Sequence, residues 1–136
     1  LIEKLGVSEY VDFMGYKSDE ELLKLFNQCT IFAFPSIHEG FPTVISEALA
    51  CEKPVIGTKL AAIPEVVVNN ETGLLIENAQ SPEELSVAII ILLKNPIIRR
   101  EMGKKGRSLI VQNFSRTIRK QKIKDLLQSL AIQEEC

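Results

Sequence analysis

The chain has 136 residues, enough for one domain and no more. Hydrophobic residues make up 46% and charged residues 25%, the balance of a packed globular domain and not of a disordered one. A net charge of −2 argues against nucleic acid as a partner, and the longest apolar run, Val87 to Leu93, is far too short to span a bilayer.

"YVDFMG" predicts a short strand over Tyr10–Met14, closed by Gly15. Ser18 with Glu21 three residues on is a capping box, so a helix is expected over 19–28. "TIFAFPS" predicts a strand from Thr30 to Phe34, its continuous apolar run suited to burial on both faces, with Pro35 ending it. A helix follows near Thr43 to Cys51, with Pro42 at or just before its first turn, where a missing N–H matters little. "KPVIGT" predicts a buried strand over Pro54–Gly57, "IPEVV" a helical turn, "NNETG" a turn and "LLIE" a fourth strand. Ser81, Pro82 and Glu84 open a helix to about Lys94, of which Val87–Leu93 is expected to be the buried face. Asn95 and Pro96 begin the next helix, to about Asn113, and Ser115 caps the last. Strand and helix alternate, which argues for an α/β fold with a mainly parallel sheet.

Basic residues cluster late, at Arg99, Arg100, Lys104, Lys105 and Arg107, then at Arg116, Arg119, Lys120, Lys122 and Lys124. They read either as solvated helix faces or as a patch facing acidic lipid or a neighbouring domain. Cys29, Cys51 and Cys136 are odd in number and form no CxxC, which fits a reducing compartment and no disulfide framework.

The stretch "HEGFPTVISEALA", residues 38–50, carries the candidate chemistry. It follows a predicted strand, and in open α/β sheets ligands bind beyond the carboxyl ends of the strands. Gly40 can take backbone angles closed to other residues and lets a ligand come close. Peptide N–H groups at the start of the next helix lack partners and, with the helix dipole, favour an anion such as a diphosphate. Pro42 has no donor, so Phe41, Thr43 and Val44 supply them, with the Thr43 hydroxyl in reserve. Glu39 and Glu47 would repel phosphate but accept hydrogen bonds from sugar hydroxyls. They lie roughly 12 Å apart along a helical path at about 1.5 Å per residue, which suits the two ends of one extended ligand. A metal does not fit that spacing with His38 as the single histidine. The spacing alone equally allows a loop Glu and a solvated helix Glu.

Residues 34–77, "FPSIHEGFPTVISEALACEKPVIGTKLAAIPEVVVNNETGLLIE", closely resemble the C-terminal, donor-binding domain of retaining GT-B glycosyltransferases, the group 1, glycogen-synthase-like family. The ordered runs P-S-x-x-E-G-F, E-A-x-A-C-x-x-P-V-I, P-E-V-V and T-G-L-L carry the resemblance, with Glu-x7-Glu as its signature. The resemblance implies a Rossmann-like parallel sheet and transfer of a sugar from a nucleotide-diphosphate-sugar donor with retained anomeric configuration. It implies that Glu39 holds donor-sugar hydroxyls near the anomeric carbon and is the catalytic position. It implies that amides around Gly40, Phe41, Thr43 and Val44 cradle the diphosphate, and that Glu47 binds the ribose. No metal and no further cofactor are implied. The implied acceptor is a carbohydrate or a lipid-linked glycan of a cell-surface polysaccharide or glycolipid, handled in the cytoplasm or at the inner face of the membrane.

Three departures from the family pattern stand out. Glu52 replaces a frequent glycine, Ala61 and Ala62 replace a frequent glycine pair before I-P-E, and Arg116 stands where Trp often follows Phe-Ser. The resemblance maps residues 1–136 onto the last four of six strands, so the chain is expected to be part of that domain, inactive by itself. Residues 115–136 are expected to form a terminal helix that crosses to a missing N-terminal domain or meets an anionic membrane. The strand over Tyr10–Met14 would then not touch the strand over Thr30–Phe34. Two other readings stand beside this one: a GT-B sugar-nucleotide epimerase or phosphorylase relative, and a non-catalytic nucleotide-sugar or protein-binding module.

Overall fold

The computed structural model describes the backbone of residues 1–134 and the side chains of residues 1–130. Among the described residues, three strands, β1 (Phe32–Phe34), β2 (Val55–Thr58) and β3 (Gly73–Ile76), form one parallel sheet in the order β1-β2-β3. The register pairs Phe32 with Val55 and Ile56 with Leu74. Helices connect and flank the strands: α1 (Ile2–Leu5), α2 (Asp19–Gln28), α3 (Thr43–Ala50), α4 (Ile63–Val66), α5 (Pro82–Lys94), α6 (Pro96–Asn113) and α7 (Arg116–Glu134). The expected α/β class with a parallel sheet is the observed one.

Local sequence explains several boundaries. The Ser18 hydroxyl accepts from the Glu21 N–H while the Glu21 carboxylate accepts from the Ser18 N–H at 2.9 Å, so the capping box forms as expected. Hydrogen bonds from Ser18 hold the Glu21 carboxyl below its ordinary range. Ser81 caps α5 through the Glu84 N–H, and Ser115 accepts from the Ile118 N–H at the start of α7. The Glu84 carboxylate turns back and accepts from the Glu77 and Asn78 N–H groups, tying the end of β3 to the start of α5.

The sheet has an apolar layer on each side. Strand side chains alternate between faces, so Val55 joins Phe26, Ile45, Leu49, Ile63, Val66, Val67 and Ile110, while Ile56 joins Leu74, Ile76, Ala88, Leu92 and Met102. All four residues of β2 are buried. At β1 the expectation of burial on both faces fails, because β1 is an edge strand and Ala33 is exposed.

Two further expectations are corrected. Residues 10–14 are not a strand: Ser8–Tyr10 form a 3-10 turn, and Phe13 is 85% exposed. A parallel strand is held by ladder hydrogen bonds to a neighbour, and among the described residues this segment pairs with none. The Val87–Leu93 run is not one buried face. Ala88 and Leu92 face the sheet, while Val87, Ile90, Ile91 and Leu93 remain about half exposed, because a helix of continuous apolar residues presents some of them to every side.

α6 lies directly on α3, and two glycines allow it. A Cβ on Gly103 would stand 2.0 Å from the Glu52 carbonyl oxygen, and one on Gly106 would stand 2.5 Å from Leu49 Cδ2. Arg107 Nη1 reaches across and donates to the Ala50 carbonyl at 2.6 Å, satisfying a C-terminal oxygen of α3. Arg99 does the same for α5, donating to the Leu92 and Leu93 carbonyls. Two members of the late basic cluster therefore fasten helix ends instead of facing a partner.

Glu52 and Ala61, two of the departures from the family pattern, both have positive φ, 59° and 48°. That region suits glycine and is strained for other L-residues. Glu52→Gly should therefore stabilise the fold by about 1 kcal/mol, since the exposed Glu52–Arg107 pair at 3.9 Å contributes only a few tenths. Gly103→Ala should destabilise it by about 2–3 kcal/mol or more through overpacking against backbone. Chemical denaturation midpoints moving in opposite directions would bear out the pair; parallel shifts would refute it.

Candidate functional site

The loop after β1 begins with the Ser36 N–H donating to the Phe34 carbonyl at 2.9 Å. The Ser36 hydroxyl donates to the His38 carbonyl at 2.9 Å and lies 3.5 Å from the Glu39 carboxylate, which is half-buried. His38 itself is exposed. Gly40 is exposed and its φ is not positive, so the backbone freedom open to a glycine is not used there. A Cβ there would meet nothing within 4 Å, so what distinguishes Gly40 is the open space over it.

α3 starts at Thr43 with buried Pro42 as its N-cap, and no side chain caps it. The first local bond is Ile45 N–H to the Pro42 carbonyl at 3.1 Å. Among the described residues, the N–H groups of Phe41, Thr43 and Val44 donate to no backbone carbonyl. Phe41 and Thr43 are exposed and Val44 half-buried, so this helix end opens to solvent and not into the core.

Phe41, Thr43 and Glu47 line one cavity of about 640 Å³, with Ser46 from α3, Asn113 and Phe114 at the end of α6, and Arg119, Lys122, Ile123 and Leu126 from α7. Phe41 and Phe114 meet with ring centroids 6.0 Å apart, joining the loop to the α6–α7 junction. Ser46 Oγ is buried and has no hydrogen-bond partner. Glu47 also borders a smaller hollow of about 330 Å³ against Asp19, Leu22, Leu23 and Phe26 of α2. Glu39, Gly40 and Val44 lie outside the larger cavity. The structure thus brings Phe41, Thr43 and Glu47 together and leaves Glu39 beside them on the loop. Sequence reading missed Ser46, Phe114, Arg119 and Lys122. The basic residues were visible in the sequence, but which of them face α3 depends on the turn between α6 and α7.

Pro64 and Glu65 occupy the first turn of α4 and are exposed. Burial pushes the Cys29 and Cys51 thiols up from their ordinary range, which keeps them protonated and poorly nucleophilic at neutral pH. Among the described residues, no group of three or more His, Cys, Asp or Glu side chains is placed to hold a metal ion. No helix among them is long and apolar enough to cross a membrane.

A parallel sheet with a bare helix N-terminus beyond its carboxyl edge is the arrangement by which doubly wound α/β proteins bind phosphate-bearing ligands. The family model described as glycosyl transferases group 1 matches residues 1–109, and the chain belongs to that family. An uncharacterised glycosyltransferase of Methanocaldococcus jannaschii is 34% identical over 98 residues, 72% of this chain and 28% of that protein. The MMP α-(1→4)-mannosyltransferase of Mycolicibacterium hassiacum is 35% identical over 116 residues, 85% of this chain and 28% of that protein. The chain thus spans little more than a quarter of the length of these relatives. Among solved structures, sucrose-phosphate synthase from Thermosynechococcus elongatus superposes with a TM-score of 0.88 at 28% identity, covering 97% of this chain and 33% of that one. Anabaena HepE in complex with UDP superposes at 0.87 and 27% identity, covering 94% and 35%. These neighbours have the GT-B architecture, and the present chain corresponds to a third of it.

The unpartnered Ser46 hydroxyl gives a direct check on the geometry. Removing a buried group that makes no bond forfeits no interaction. Ser46→Ala should leave stability unchanged or raise it by up to about 1 kcal/mol. A loss of more than that in thermal or chemical unfolding would mean that the hydroxyl has a partner inside the fold.

Proposed function

We propose that this chain supplies the donor-binding part of a retaining glycosyltransferase, moving a sugar from a nucleotide-diphosphate donor to a carbohydrate or lipid-linked acceptor. The observation that carries the reading is the solvent-open first turn of α3, whose Phe41, Thr43 and Val44 N–H groups have no backbone partner and which is flanked by Glu39 before it and Glu47 within it. Anabaena HepE, similar in fold, was solved with UDP and with UDP-glucose, which supports a nucleotide sugar as the ligand class.

In this proposal the amides of Gly40, Phe41, Thr43 and Val44 and the dipole of α3 bind the diphosphate. They act most strongly as the sugar–phosphate bond breaks and charge gathers on the leaving oxygens. Glu47 accepts hydrogen bonds from the ribose hydroxyls. Glu39 accepts from hydroxyls of the transferred sugar and places the anomeric carbon. The leaving phosphate oxygen takes the acceptor proton on the same face, so configuration is retained without an enzymic nucleophile. No metal enters the proposal. A further domain completes the cleft and brings the acceptor, and α7, residues 116–134, leads toward it or toward an anionic membrane surface on the cytoplasmic side.

The two carboxylates have separable roles. In the intact enzyme, Glu47→Ala should weaken donor binding by about 10–100-fold, the equivalent of losing charge-assisted hydrogen bonds worth about 1.5–3 kcal/mol. Glu39→Ala should reduce turnover far more than donor affinity. Calorimetric donor titration alongside steady-state kinetics separates these effects. An exchange of the two phenotypes would reverse the assignment, and no effect from either would remove it.

A further inference from the structure

We propose that the outward face of α5 is the interface of a homodimer, in which α5 of one copy packs antiparallel on α5 of a second copy about a two-fold axis. α5 covers one face of the sheet through Ala88 and Leu92, and α3 covers the other through Ile45 and Leu49. The outward side of α5 therefore lies on the opposite side of the sheet from the α3 site. Val87, Ile90, Ile91 and Leu93 are 44–56% exposed there, and Ile97 and Ile98, just past the turn into α6, are 72% and 45% exposed. A helix that is apolar on every side is normally buried on every side. α6 shows the ordinary arrangement, with charged Arg100, Glu101, Lys104 and Lys105 as its exposed residues.

Two observations select a second copy as the occupant. The first is spacing and charge. Glu83, Val87, Ile90 and Lys94 follow one another at intervals of four, three and four residues, so they form a single stripe along the helix. The stripe is its own complement. Two such helices laid antiparallel set Val87 against the partner's Ile90 and Glu83 against the partner's Lys94, and the two-fold axis repeats both pairs. Antiparallel packing also opposes the two helix dipoles. Among the described residues, neither Glu83 nor Lys94 has an ion-pair partner within the chain, and Glu83 accepts one hydrogen bond, from the Ser81 hydroxyl at 3.1 Å. Its neighbour Glu84 is already committed to the Glu77 and Asn78 N–H groups. The second observation is area. The six apolar side chains offer roughly 500 Å² of surface per copy, the upper end of what a monomer leaves uncovered. With a polar rim, two copies bury roughly 1,200 Å², the lower end for a specific interface.

The test is sedimentation velocity of the intact protein at low ionic strength, at concentrations up to about 200 µM, well above the micromolar end of interface affinities. A concentration-dependent dimer is expected. Val87→Gln with Ile90→Gln should weaken it at least tenfold. Glu83→Lys alone and Lys94→Glu alone should each weaken it at least threefold, because like charges then face each other twice. An equimolar mixture of these two charge variants should associate within twofold of the native protein, since the mixed dimer restores an unlike pair at both ends. Phe13→Gln with Tyr16→Gln, in the exposed N-terminal segment, should leave association within twofold. A native protein that stays monomeric overturns the proposal, and so does a dimer that ignores the α5 substitutions or is lost with Phe13 and Tyr16. Flotation with phosphatidylcholine–phosphatidylglycerol vesicles tests the other occupant. A monomer held on vesicles through Val87 and Ile90 overturns the proposal in favour of a lipid surface. All four α5 positions are exposed, and circular dichroism checks that each variant folds. If the glutamine pair does not fold, the charge variants decide: recovery on mixing supports the interface, and no recovery overturns it.

Discussion

The close seat of α6 on α3 is the contact on which the site depends. Gly103 and Gly106 remove the side chains that would hold the helices apart, and Arg107 fastens the far end of α3 through the Ala50 carbonyl. Its C-terminal end is fastened there, and its Ile45, Ala48 and Leu49 face is buried in the close-packed core. Its first turn then projects beyond the sheet with its donors uncovered. A helix whose capping groups were all satisfied internally could not serve as an anion site; this one is held firmly at one end and left open at the other.

The same packing divides the charged residues by role. Arg99 and Arg107 satisfy carbonyl groups at helix ends, and Lys59 pairs with Glu77 across the end of the sheet at 2.9 Å. Among the described residues, the Arg119 and Lys122 side chains meet no such group, and both line the cavity that α3 borders. Composition cannot make that distinction, because all are exposed or half-exposed basic residues within a chain of nearly balanced charge. The distinction comes from which carbonyls and carboxylates the helices bring within reach.

Much of the fold was legible in the sequence because local rules agree with the global arrangement. The capping box at Ser18 and Glu21, Pro42 before α3, Pro82 and Pro96 at helix starts and Ser115 before α7 all act within a few residues of themselves. The failures have a common cause. Among the described residues, Tyr10–Met14 has strand-like residues but finds no neighbouring strand, and β1 has a strand-like run but one neighbour, β2. The apolar run of α5 surrounds the helix while only one side of it meets the sheet. Each depends on what lies alongside, which no short window contains. The family pattern also pointed to Glu52 and Ala61 as unusual, and their positive φ supplies the physical reason that glycine is frequent at both places.

By itself the sequence determined the α/β alternation, the family, the stretch from Glu39 to Glu47 and the missing N–H donor at Pro42, because these rest on spacing, backbone chemistry and an ordered motif read along one chain. Tertiary structure alone decided that α3 opens to solvent, that Glu47 shares a cavity with Thr43 while Glu39 stands outside it, and that Ser46, Arg119 and Lys122 line that cavity too. Those facts require helices separated by some seventy residues of chain to lie side by side. Such an approach is set by close packing of side chains and the two glycines between α3 and α6, not by the preferences of any one segment.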